Sequence, residues 1–214
     1  MMSTAEVMTV AFVAAEWFGG CFEYARRFLL GYALGETHKQ LNPTQEYIVD
    51  SIPVPVCDNI RISRSRLYRG AAYRGKIASK RRYFYGLRIH LVVSATGQPV
   101  EFELAPGAVA DITGFRSFDL DLPAGATVYA DKAYTDYLWE DLLKEITDID
   151  LTALRKSNAT RVMDGCIRFI CQHTRKRIET TFSQIAARFG RFIRAVTARC
   201  FELKCFLFVW SYAI

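Results

Sequence analysis

Tyr47-Ile48-Val49-Asp50 and, far downstream, Thr127-Val128-Tyr129-Ala130-Asp131 are two apolar, β-prone runs, each closed by an aspartate. Short runs of this kind between turn signals read as buried strands. Pro53 and Pro55 remove two backbone donors, so the first strand is expected to stop soon after Asp50. The turn Pro123-Ala124-Gly125 introduces the second run. Outward from these two, Tyr83 to Ala95 and Pro99 to Leu104 form a hairpin pattern around Thr96-Gly97. Asp111 to Phe118 reads as a short helix. Thr135 to Ile146 reads as a longer one, with apolar positions at Tyr137, Leu138, Leu142 and Ile146. Leu151 to Leu154 adds a strand. Thr174 to Phe189 is a helix with Ile178, Phe182, Ile185 and Phe189 on one face, and a last helix starts near Phe201. Residues 59–81, polar and glycine-punctuated, read as an irregular excursion. This order predicts an α/β fold, a mixed sheet covered by helices. Asp50 and Asp131 then stand at the carboxyl ends of neighbouring central strands.

Upstream, Ser3 and Glu6 have capping-box spacing before the apolar run Val7 to Phe18. Gly19-Gly20 stops that helix, Phe22 to Leu34 reads as a second, and Asn42-Pro43 marks a boundary. The expected organisation is a short helical segment over 1–44 and one α/β domain over 45–214.

Charge is segregated along the chain. Residues 59–100 hold ten Lys and Arg and no acid, and residues 165–201 hold eight basic groups against Glu179 alone. The rest carries ten basic and 21 acidic residues, so a chain of net +6 divides into +17 and −11. Solvated surfaces usually mix their signs, so this division points to a polyanionic partner. A length of 214 residues with 51% hydrophobic content is ample for a packed core and excludes a disordered chain. The six cysteines come without a signal-peptide pattern or an apolar run of membrane-spanning length, which predicts a reducing cytoplasmic setting and no membrane partner. Cys166, Cys171 and His173 lack the spacing of a zinc pair.

Asp50, Asp131 and Glu179 are the candidate catalytic and metal-binding residues. Magnesium prefers hard oxygen ligands, and two such ions about 3.5–4 Å apart polarise the attacking and leaving oxygens of a phosphodiester. Three acids gathered without a cation would repel one another. The basic excursion supplies Arg61, Arg64, Arg66, Arg69, Arg74, Lys76, Lys80, Arg81 and Arg82, interleaved with Tyr68, Tyr73, Tyr83, Phe84 and Tyr85. Cations neutralise backbone phosphates and release counterions, while aromatic faces stack on exposed bases. At least half of these tyrosines are expected to pack the adjoining strand instead. Lys132, Arg175, Lys176 and Arg177 lie beside the acids and complete the expected DNA-binding set. His90, alone within Leu87-Arg88-Ile89-His90-Leu91, is read as a structural, hydrogen-bonded histidine.

The stretches Tyr47 to Cys57, Ala78 to Leu87, Val128 to Tyr134, Arg177 to Thr180 and Ala195 to Lys204, in this order and spacing, resemble the DDE transposases of bacterial insertion sequences, most closely the insertion-sequence 982 family. The resemblance implies a ribonuclease H-like core in which Asp50, Asp131 and Glu179 hold two Mg2+ ions, with Mn2+ as a substitute. It also implies cleavage of double-stranded DNA at transposon ends, strand transfer into target DNA and a homodimeric active complex. Helical sequence usual in the family before the first catalytic strand is replaced here by the short join from Gly35 to Gln40, which marks the chain as an internally shortened relative. Two further readings stay open: a nuclease that cuts without strand transfer, and an inactive DNA-binding relic.

Overall fold

In the computed structural model, residues 44–77, 81–188, 193 and 195–213 are described. The two helices expected before Gly35 fall outside these residues. Six strands form one sheet: β1 (Glu46–Asp58), β2 (Arg74–Ile77), β3 (Arg82–Ser94), β4 (Pro99–Pro106), β5 (Thr127–Ala130) and β6 (Asp150–Ala153). Four helices complete the described fold: α1 (Asp111–Arg116), α2 (Tyr137–Thr147), α3 (Gly165–Arg188) and α4 (Ala198–Ala213). The path across the sheet is β2-β3-β1-β5-β6, with β4 also paired to β3. β2 pairs with the first residues of β3 and β4 with the remainder, so the two share one edge end to end. The β1–β3 and β3–β4 pairs are antiparallel; β1–β5 and β5–β6 are parallel. This is the expected α/β class, a mixed sheet flanked by helices and consistent with a ribonuclease H-like core. Among the described residues no helix is long and apolar enough to cross a membrane.

Alternation along β1 and β3 divides the interior into two cores. Ile48 and Val54 of β1, with Leu87, Ile89, Leu91 and Val93 of β3, face Ile178 and Ile185 of α3 and Phe201, Phe206 and Val209 of α4. Tyr47 and Val49, with Val92, Val128, Ala130 and Leu151, face the opposite layer, where Phe115 of α1, Tyr134 and Leu143 of α2 are buried. The hairpin turn docks onto the first layer: Thr181 donates to the Gly97 carbonyl at 2.9 Å. Gly97 has φ +91°, and a Cβ there would stand 2.9 Å from the Thr181 hydroxyl.

Three expectations are corrected. β1 does not stop at the prolines but runs 13 residues to Asp58. The phase of the backbone explains it. The Gln45 carbonyl points at β5 and accepts from Thr127 N–H at 2.7 Å. Pro53 and Pro55 share that odd-numbered phase, and the parallel pairing with β5 ends at Ile48–Tyr129. Their missing donors therefore face an edge that needs none. In α2, the apolar positions Leu138, Leu142 and Ile146 are 82%, 42% and 70% exposed, and the buried side is Glu140 and Leu143. The excursion also holds more order than expected, with 3-10 turns at Asn59–Arg64 and Ala71–Tyr73 before β2.

Candidate active site

The parallel register of β1 and β5 builds the site. Glu46, Tyr47 and Ile48 pair with Thr127, Val128 and Tyr129. Two steps further along the same register stand Asp50 and Asp131. β5 has ended by then, and Asp131 leads into a 3-10 turn at Lys132–Tyr134. Asp50 thus sits within a continuing strand rather than at its end, beside a neighbour that has just peeled away. A notch opens there on the face covered by α3.

Arg175 of α3 fills that notch. Its Nη2 donates to Asp50 Oδ2 at 3.0 Å and its Nη1 to Asp131 Oδ1 at 3.2 Å. The other Asp50 oxygen accepts from the Ser51 backbone N–H at 2.8 Å. Burial pushes the Asp50 carboxyl above its ordinary range, against the pull of Ser51 N–H and of the Arg175 guanidinium, and the negative charge of Asp131 adds to the rise. α3 is held in register by Cys171, one turn earlier, which is fully buried with its thiol 3.7 Å from the Ala130 carbonyl and 3.5 Å from that of Thr152. The carbonyl of the residue before Asp131 is therefore an anchor for the helix that carries Arg175.

Glu179 is not in contact with the two aspartates; its side chain is exposed. At about 100° per residue, four positions bring it about 40° around α3 from Arg175 and one turn further on. It borders the edge of the helix on which Arg175 projects. Among the described residues no three His, Cys, Asp or Glu side chains lie close enough to form a metal cluster. The donor chemistry of the notch nevertheless fits a cation, because two carboxylates already converge on a positive group. A third carboxylate lies one turn away on the same helix edge.

The expected basic residues spread along the surface. Arg61, Arg64, Arg66, Arg69, Arg74, Lys76, Arg81, Arg82, Lys132, Lys176 and Arg177 are exposed; Lys80 lies outside the described residues. Arg61, Arg64 and Arg66 line an open pocket of about 520 Å³ with Val56, Cys57 and Leu67. It begins six residues beyond Asp50, about 20 Å along the strand. Tyr83 is 41% exposed, with the Arg74 guanidinium 4.4 Å from its ring, while Phe84 and Tyr68 are core.

Behind the notch lies a polar group that sequence reasoning missed. The Ser51 hydroxyl donates to Asp111 Oδ1 at 2.6 Å, and Arg88 Nη1 reaches both at 3.0 Å. His90, paired in register with Ser51, is fully buried, and neither ring nitrogen has a hydrogen-bond partner. The expectation of a hydrogen-bonded histidine is corrected accordingly. Burial lowers its pKa from 6.5 to about 4. Its imidazole lies flush on Gly114 of α1, where a Cβ would come within 2.4 Å. A signal was present: Arg88 and His90 share one parity of an otherwise apolar strand, opposite Ser51.

No curated protein and no solved structure matches the chain. The transposase DDE domain family matches residues 40–189, a stretch that contains Asp50, Asp131, Arg175 and Glu179. The notch between β1 and β5 thus lies inside the matched region, and the chain belongs to the DDE transposase domain family.

Proposed function

We propose that this chain is a metal-dependent transposase of the insertion-sequence 982 type, with residues 45–214 as its catalytic domain and 1–44 as a shortened helical region for DNA binding or dimerisation. The observation that carries the reading is the convergence of Asp50 and Asp131, from separate strands, on one cation in an open notch. Asp50, Asp131 and Glu179 would hold two Mg2+ ions, or Mn2+ in their place. Bound there, the ions would supply activation of the attacking water or 3′-hydroxyl and charge stabilisation at the leaving oxygen of the phosphodiester. The chain's own residues do the positioning. Ser51 N–H fixes one Asp50 oxygen, so the carboxylate presents the other to the notch. Lys132, Lys176 and Arg177 flank the acids and would hold the phosphates beside the scissile bond. The arginines at the far end of β1 would take the same double-stranded DNA about 20 Å away. A homodimer in the bacterial cytoplasm, paired on two transposon ends, is the working assembly.

A second reading has its own support. Glu179 is exposed and apart from the aspartates, which suits an inactive DNA-binding relic that competes with a full-length transposase. One experiment separates the two: labelled transposon-end DNA with Mg2+, products sized on a denaturing gel, for the wild-type protein and Asp50→Asn. The transposase reading expects cleavage by the wild type and a loss of roughly 100- to 1000-fold in the variant, with DNA binding retained. Binding without cleavage in both would leave the relic.

A further inference from the structure

We propose that Arg175 is a positioning residue that holds Asp50 and Asp131 together as a surrogate cation and competes with a divalent ion for them. The proposal rests on the metal-binding reading of the notch given above. The geometry leaves little choice. Ser51 N–H occupies one Asp50 oxygen and Arg175 the other, so a cation entering at Asp50 meets the guanidinium at the oxygen it needs. The same guanidinium holds Asp131 Oδ1. Arginine stays charged at any working pH and so cannot vacate the notch by losing a proton. It leaves by swinging its side chain.

Three features make that swing feasible. Each carboxylate receives a single bond from Arg175, at 3.0 and 3.2 Å, in place of the tighter bidentate fork that a guanidinium forms with one acid. The third guanidinium nitrogen, Nε, is buried without a partner, so the clamped position leaves its N–H unbonded. Asp131 is 41% exposed, so solvent and ions reach the notch from its side. The backbone beneath Arg175 need not move, since Cys171, Ile178 and Ile185 fix α3 on the sheet. Release of the side chain would also clear the helix edge that Glu179 borders. One positive charge against two negative ones leaves the notch short by a unit. A divalent ion corrects that deficit, and Arg175 does not.

The test measures Mn2+ binding to DNA-free protein, from the electron paramagnetic resonance signal of the unbound ion, for wild type, Arg175→Gln, Arg175→Lys and Asp50→Asn. Competition predicts that Arg175→Gln binds Mn2+ about tenfold more tightly than wild type, within the usual range of coupling between sites. Arg175→Lys, which keeps the charge but cannot bridge both acids, should fall between them and decides the matter if the glutamine variant fails to fold. Asp50→Asn should lose the binding. Equal or weaker affinity in the Arg175 variants, with Asp50→Asn still defective, overturns the competition and leaves the metal site standing. No Mn2+ binding by any of the proteins overturns both.

Discussion

Two guanidinium–carboxylate contacts in this molecule look alike and are built to opposite ends. Arg155 meets Glu140 of α2 as a fork, Nη1 to Oε1 and Nη2 to Oε2, both at 2.6 Å. The side chains are 12% and 7% exposed, and the charges cancel. Glu140 also accepts from the Asp136 backbone N–H at 3.3 Å, and Arg155 lies 5.0 Å from the Tyr137 ring. Every element ties the segment after β6 to the start of α2. Arg175, by contrast, is divided between two acids, with longer bonds and one orphaned donor. The first is a closed, neutral pair; the second is open and leaves its two acids one positive charge short.

The largest effect on stability should come from the closed pair. Arg155→Ala strands a buried carboxylate and is expected to cost about 3–5 kcal/mol, read from urea unfolding. A loss below about 1 kcal/mol would place this pair with ordinary surface ion pairs and erase the contrast.

Burial without any partner is the intermediate case, and His90 supplies it. The folded protein takes up the imidazole proton only near pH 4, whereas the unfolded chain does so near 6.5. The unfolded state therefore binds more protons between those values. Stability should fall as pH drops from 6.5 towards 4, by up to about 3 kcal/mol from this group. His90→Gln should flatten that slope in acid unfolding curves. An unchanged slope would show that other groups govern the acid limb.

The smallest effect belongs to the open pair. Arg175→Gln should cost less than about 2 kcal/mol without metal, because Asp131 remains solvated. Mn2+ should restore the midpoint. A loss as large as that of Arg155→Ala, unrelieved by Mn2+, would make Arg175 a fold-locking residue and remove the distinction.

Much of this was legible in the sequence, for reasons that particular residues make plain. Thr127 to Ala130 was readable residue for residue, because a tight turn and an aspartate bracket four β-prone positions. The two aspartates came together because a parallel pairing forces the ends of neighbouring strands side by side. The reach of β1 was not readable, since proline stops a strand only when the missing donor faces a partner, and strand neighbours are a tertiary fact. The buried face of α2 is hidden from the sequence for a related reason. Leu138, Leu142 and Ile146 make an apolar stripe, yet Glu140 turns inward to meet Arg155, and no local pattern announces that ion pair. Arg175 was legible as a cation near the acids, but its place between them depends on Cys171 seating α3 over β5 and β6.

The central claim is that the side chains at 50, 131 and 179 serve one cation site, and iron-directed backbone cleavage tests it most directly. Fe2+ substituted for Mg2+, with ascorbate and peroxide, cuts polypeptide beside the bound ion, and the fragments are mapped by mass. The account predicts cuts next to Asp50, Asp131 and Glu179, suppressed together by excess Mg2+ and absent in Asp50→Asn. Cuts near Asp50 and Asp131 with none near Glu179, or none responsive to Mg2+, would contradict it.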